Sequence, residues 1–220
     1  MMKITKYLHS CLVFEQSDFK LLFDPGTFSF AEGTVTPEMF KDVDAVIITH
    51  KHPDHIDPEN LKKIIDISGA ALYTNSEVAA EIQKIGMNAE LIEEGNYTVG
   101  PFKLRAIPVV HEPLLDNPTP QMTAFVINGK VLHPVDSFEE KLLEYKGIEL
   151  VILPTMAPFT TELKIADFAD RLQPKRILPV HDGFAKDFFL KQRYENYTKH
   201  FKQKGIEFIN IKPLGDSVEV

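Results

Sequence analysis

The chain has 220 residues, 44% of them hydrophobic, and a formal net charge of −8 at pH 7. That apolar share supports a sizeable core and argues against disorder, while the acidic balance argues against a broad nucleic-acid or anionic-membrane surface. The single cysteine, Cys11, rules out an intrachain disulfide and fits a reducing compartment. The opening MMKITKYLHS lacks the charged segment and long apolar run of a signal peptide, and no apolar run approaches the roughly 20 residues that span a bilayer. The expectation is a soluble, cytoplasmic protein without a membrane partner.

The elements follow in chain order. Residues 2–8, 11–16 and 20–24 read as short strands, the third stopped by the turn sequence Asp24-Pro25-Gly26. The apolar, β-branched run 43–49 reads as a strand buried on both faces. A helix then starts with Asp57 as N-cap, Pro58 at the first position and Glu59 in the first turn. Its apolar positions Leu61, Ile64 and Ile65 follow helical spacing. A strand at 71–74 and a helix at 75–86, with Val78, Ile82 and Ile85 on one face, come next. Strands are expected near 89–93, 96–99 and 102–110, then a proline-rich loop at 112–121. Asn128-Gly129 joins strands 122–128 and 130–135 as a hairpin. Helices near 138–145, 162–172 and 184–203 alternate with strands at 148–153 and 175–180, and short strands close the chain. No repeat or linker divides it, so residues 1–220 read as one α/β domain with mixed sheets.

The chemistry concentrates directly after the buried strand, in His50-Lys51-His52-Pro53-Asp54-His55. Four candidate ligands lie within six residues where the chain leaves a strand, and imidazole nitrogen with carboxylate oxygen suits zinc and similar divalent ions. The plain alternative is a solvated polar loop. His111, Asp136 and His181 also follow strands, at the ends where ligands gather in α/β sheets. Taken singly, each histidine reads as a surface or hydrogen-bonded residue, and Asp136 equally as a helix N-cap; together they point to one cleft.

This pattern, His-x-His-x-Asp-His followed by one His, one Asp and a last His, resembles the metallo-β-lactamase superfamily over nearly the whole chain. The opening Tyr7 to Glu15, which contains His9-Ser10, is similar to that of the branch related to L-ascorbate-6-phosphate lactonase, as are Leu22-Phe23-Asp24-Pro25 and the segment 49–57. The resemblance implies an αβ/βα four-layer sandwich, two mixed β-sheets face to face with helices outside. It implies two metal sites: His50, His52 and His111 for the first, Asp54, His55 and His181 for the second, with Asp136 bridging. Two divalent ions are implied, zinc favoured and manganese or iron compatible. Two departures stand out. His133-Pro134-Val135-Asp136-Ser137 has no glycine before the bridging aspartate, where relatives usually carry Gly-Asp-Thr, and Leu8 stands where the branch often has glycine.

In such a site a hydroxide shared by two metals attacks an ester, lactone, amide or phosphoester bond. Asp54 would bind metal and orient the hydroxide. His9 would bind substrate or protonate a leaving group, with a histidine satisfied at a strand end as its alternative. Asp24 reads as a support for a loop or a ligand histidine, Asp57 as a cap, Cys11 as core and His200 as surface. His133 reads equally as a support or a plain strand residue. The expected partner is a small molecule, a lactone or phosphorylated metabolite among the candidates, walled by His9 and the loops 25–36 and 112–121. A homo-oligomer stays open. The alternatives are a phosphodiesterase or nuclease on the same di-metal site, disfavoured by the acidic charge, an iron redox centre, disfavoured because His52 stands where diiron relatives carry Glu, and a non-catalytic metal-binding module.

Overall fold

A computed structural model describes residues 1–211 and 214–220. In chain order it contains β1 (Lys3–Lys6), β2 (Leu12–Gln16), β3 (Phe19–Phe23), the one-turn helix α1 (Thr27–Phe30), β4 (Ala45–Ile48), α2 (Pro58–Ser68), β5 (Ala71–Thr74), α3 (Ser76–Gln83) and β6 (Glu90–Leu91). The second half continues with β7 (Gly95–Val99), β8 (Phe102–Val110), β9 (Gln121–Ile127), β10 (Val131–His133), β11 (Leu150–Pro154), α4 (Glu162–Leu172), β12 (Arg176–Val180), α5 (Asp187–Gln203) and β13 (Glu207–Phe208), and β14 (Ser217–Glu219) returns to the first half.

These strands form two seven-stranded sheets, ordered β14-β1-β2-β3-β4-β5-β6 and β13-β12-β11-β10-β9-β8-β7. Both are mixed. β1, β2 and β3 pair antiparallel, whereas β3, β4, β5 and β6 run parallel. In the other sheet β7 to β10 pair antiparallel and β10 to β13 parallel. Between the sheets lies an apolar layer that includes Phe14, Phe23, Phe102 and Phe125, with the Phe23 and Phe125 rings edge-to-face at 5.6 Å. A second layer seats α2 and α3 on the first sheet through Leu61, Ile64, Val78 and Ile82. A third seats α4 and α5 on the second sheet through Ile165, Phe168, Tyr197 and Phe201. The result is the expected αβ/βα four-layer sandwich. No described helix is long and apolar enough to cross a membrane.

Local signals explain the helix ends. Asp57 caps α2 by accepting from the Asn60 amide at 3.0 Å, and Gly69 closes that helix at φ +68°. Asn75 caps α3 and also joins the sheets, donating to the carbonyls of Thr49 and Gln121 at 3.0 and 3.1 Å.

Several expectations shift. α3 stops at Gln83, so Ile85 is exposed, and Met87 fills the buried place. The segment 138–145 is a 3-10 turn over Glu140–Tyr145 that buries Leu142 and ends ahead of Gly147 at positive φ. The strand near 89–93 shrinks to two residues, and β10 ends at His133, three residues before Asp136. The loop 25–36 contains α1, and a 3-10 turn follows at Pro37–Phe40. α5 begins at Asp187, leaving Phe184 in the loop before it.

Candidate metal centre

β3 and β4 are parallel neighbours, so Asp24 and the loop 49–55 leave the sheet side by side. Asp24, fully buried, accepts from the Thr49 amide at 2.8 Å, the Thr49 hydroxyl at 2.7 Å and His55 Nδ1 at 2.8 Å. Gly26 permits the loop to close on this turn. A Cβ there would sit 2.0 Å from the Asp54 carbonyl oxygen, so no other residue fits.

All seven expected ligands converge. His50, His52 and His111 form one group, His50, His55 and Asp136 a second, and His9, Asp54, His55 and His181 a third, the donor atoms of each lying within 4.8 Å of one another. Asp136 sits at the centre. Its Oδ2 lies 3.1 Å from His55 Nε2, 3.4 Å from His111 Nε2, 3.5 Å from His181 Nε2 and 3.6 Å from His50 Nε2. Asp54 Oδ2 is 3.1 Å from His181 Nε2, and His52 Nδ1 is 3.1 Å from His50 Nε2. Ligand atoms about 2.1 Å from a tetrahedral ion stand roughly 3.4 Å apart, so these spacings fit ions between them.

The hydrogen bonds behind the ligands set which nitrogen faces inward. His55 Nδ1 donates to Asp24, His111 Nδ1 to the Glu112 carbonyl and His181 Nδ1 to the Met156 carbonyl at 2.6 Å. The Thr49 hydroxyl donates to Asp24, so its oxygen accepts from His50 Nδ1 at 3.1 Å. Every Nε2 in this set therefore faces inward, free to offer its lone pair to a metal once any second proton has left. The Nε2 atoms of His55, His111 and His181 and Oδ2 of Asp136 are buried without a hydrogen-bond partner. Buried polar atoms left so cost stability, and four pointing at one place is the signature of a cation site.

Protonation follows from the same crowding. Burial opposes charge on His55 and His181, but Asp136 and its neighbours raise both, His55 well above its ordinary value and His181 to about 9. Burial would likewise raise Asp136 and Asp54, yet the surrounding histidines hold both carboxylates well below the usual range. Burial, reinforced by neighbouring imidazoles, lowers His50 and His52.

His9 differs from the ligands. The Gly183 amide donates to its Nδ1 at 3.1 Å, so the proton of the neutral ring sits on Nε2, which faces Asp54 Oδ2 at 3.1 Å. Burial, then the charge of His181, lowers its pKa to about 4. His9 thus offers an N–H, not a lone pair. Gly183 fits because a Cβ there would press the His9 Cβ at 2.9 Å. His9, Asp24, Val135 and His181 all take left-handed backbone, at φ of 60°, 45°, 57° and 66°. Val135 holds the conformation that glycine before Asp136 would take without strain.

Other residues went unremarked in the sequence. Lys6 is fully buried, and its ammonium pairs with Asp182, which also accepts from the Tyr194 hydroxyl. This links β1 and α5 to the residue after His181. A cavity of about 420 Å³ opens over the ligands. Phe28 and Leu114 come from the two expected loops, but Pro158, Phe159 and Phe184 come from the segments before α4 and α5. An isolated phenylalanine in a loop carries no local signal of this role. His133 is buried against the Phe23 ring, with neither ring nitrogen partnered among the described residues. His200 is part-exposed and bonds Asp170 at 3.0 Å, away from the centre.

Residues 3–181 match the family model described as Beta-lactamase superfamily domain. The chain is 28% identical over 189 residues to Protein Rv0786c of Mycobacterium tuberculosis, covering 83% of this chain and 84% of that protein. It is 27% identical over 196 residues to a UPF0173 metal-dependent hydrolase of Pyrococcus abyssi, covering 80% of this chain and 83% of the relative. Among solved structures it resembles Igni18, a metallo hydrolase of Ignicoccus hospitalis, with a TM-score of 0.73 at 18% identity over 100% of this chain and 99% of the other.

Proposed function

The chain belongs to the metallo-β-lactamase superfamily, and from that premise we propose that it is a metal-dependent hydrolase of small molecules that holds two divalent ions. The observation that carries this is the cluster of partnerless buried donors on His55, His111, His181 and Asp136. His50, His52 and His111 would hold one ion, Asp54, His55 and His181 the other, with Asp136 between. The imidazole-rich donor set favours zinc over magnesium or calcium, with manganese and iron as the other candidates. Relatives named as metal-dependent hydrolases support the reading.

Bound divalent ions supply water activated at neutral pH and polarise the scissile carbonyl. The chain supplies the rest. Asp54 projects into the cavity beside His181 and orients the attacking water. His9 Nε2–H, held toward Asp54 by the Gly183 amide, donates to the oxygen on which charge develops. A substrate covering the exposed phenylalanine walls would displace water from the site, which strengthens both interactions. The bond cleaved in this reading is an ester, lactone, amide or phosphoester, with esters and lactones as the first to test.

The test is elemental analysis beside turnover on esters, lactones and phosphodiesters. About two ions per chain and hydrolysis of at least one ester or lactone are expected. Asp136→Ala should lose at least one ion and nearly all turnover, because no carboxylate then separates two cations, while His200→Ala keeps both. Equal metal and turnover in Asp136→Ala would refute the assignment.

A further inference from the structure

The wall of the cavity is one-sided in its chemistry. Its polar surface comes from the ligand residues on the floor, and the sides are Phe28, Pro53, Leu114, Pro158, Phe159 and Phe184. No lysine or arginine among the described residues lines it. Of the cations in the neighbouring segments, Lys51 pairs with Glu77 at 2.8 Å and Lys164 with Glu112, and the exposed Lys186 lies outside the lining. A phosphate, sulfate or carboxylate carried away from the scissile bond would therefore enter an apolar wall without a counter-charge, at the full cost of desolvation.

The aromatic residues form a collar tied to the floor. Phe159 stands edge-on to His111 at 5.0 Å and to His181 at 5.6 Å, and Phe28 to His9 at 5.1 Å. Phe28 and Phe184 meet each other at 6.1 Å. Yet Phe28 is 38% exposed and Phe184 47%. Two rings fixed by edge contacts and still wet are surface that a bound apolar group would cover, and edges and faces at this spacing favour a further ring.

Resting on the hydrolase reading above, we propose that the substrate is a carboxylic ester or lactone bearing an uncharged, ring-sized apolar group, seated between Phe28, Phe159 and Phe184. In the reaction water's oxygen bonds to the carbonyl carbon, the carbon–oxygen bond to the leaving alcohol breaks, and one proton passes to that alcohol, giving acid and alcohol with no redox change. A phosphate carried on the part of the substrate that enters this wall is disfavoured by the same want of a counter-charge.

The experiment compares two esters with the same scissile bond, 4-methylphenyl acetate and 4-acetoxybenzenesulfonate, on the metal-loaded protein. The neutral ester should have at least tenfold the kcat/KM of the anionic one. Phe159→Ala and Phe184→Ala should each raise KM for the neutral ester about fivefold or more, with metal content unchanged. A binding arm by calorimetry uses the products 4-methylphenol and 4-hydroxybenzenesulfonate, so the wall is judged even if neither ester turns over. Tighter binding of the neutral phenol, weakened in both variants, supports the proposal. Silence in turnover with that binding pattern would strike the hydrolase reading and leave the wall chemistry standing. Equal or tighter binding of the sulfonate, or binding indifferent to both phenylalanines, overturns the proposal.

Discussion

Asp24 holds His55: its Oδ2 accepts from His55 Nδ1 at 2.8 Å while the same carboxylate gathers the Thr49 amide and hydroxyl. One buried anion thereby orients two ligand histidines, His55 directly and His50 through Thr49. Asp24→Ala should weaken metal binding by about 10- to 100-fold. Competition against a chromophoric chelator measures this, and unchanged affinity would show that the ligands hold their orientation without Asp24.

The strands and the first ligand motif are legible in the sequence because they are local. β4 is a continuous apolar run and Asp57-Pro58 a helix start, each readable from a few neighbouring residues. His111, Asp136 and His181 were findable because each follows a strand. Lys6 was not. It reads as a polar strand residue, and only the return of Asp182 beside β1, 176 positions later, buries it as an ion pair. The same limit hid Phe159 and Phe184, whose role arises where the five loops of the cavity wall meet. It also hid the 3-10 form of Glu140–Tyr145, since its apolar spacing suits either helix.

Metal loading should release protons. In the metal-free protein the pKa of His181 is raised to about 9, so it carries a second proton at pH 7.5, on the Nε2 that faces Asp54 and Asp136, and the carboxylates shift His55 in the same direction. A metal needs that lone pair, so about one proton per chain or more should leave on saturation at pH 7.5. Release should decline as pH rises through about 9, when His181 is already neutral. Titration calorimetry in two buffers of different ionisation enthalpy counts them, and release near zero at pH 7.5 would contradict the assignment.

His133 should make the metal-free fold acid-sensitive. Its pKa falls to about 4, chiefly through burial, with the Asp24 charge opposing. The unfolded chain takes up this proton near pH 6.5 and the folded one near 4, so stability is full above about 6.5 and drops as pH falls through that window. The ceiling is on the order of 3 kcal/mol. His133→Leu removes two buried nitrogens without partners, so it should match or exceed wild-type stability at pH 7.5. It should also show a shallower fall between pH 6.5 and 4. Denaturant melts across that range decide it, and parallel curves for the two proteins would mean that His133 does not titrate this way.

Val135 stands at φ +57° with its side chain buried, directly before the central Asp136. A β-branched residue in left-handed backbone costs about 1–2 kcal/mol, a penalty glycine escapes. Losing the buried isopropyl group costs about 1.5–3 kcal/mol, and glycine adds roughly 0.5–1 kcal/mol of chain entropy. These oppose one another, so Val135→Gly should destabilise by only about 1.5 kcal/mol. Val46→Gly is the control, since Val46 is equally buried within β4 and has no left-handed strain to relieve. It should cost at least twice as much. Denaturant unfolding of the two metal-free variants against wild type makes the comparison, and equal losses would show that Val135 stores no strain. Metal affinity gives a second reading: if Val135 merely replaces glycine in holding the Asp136 backbone, Val135→Gly should keep both ions.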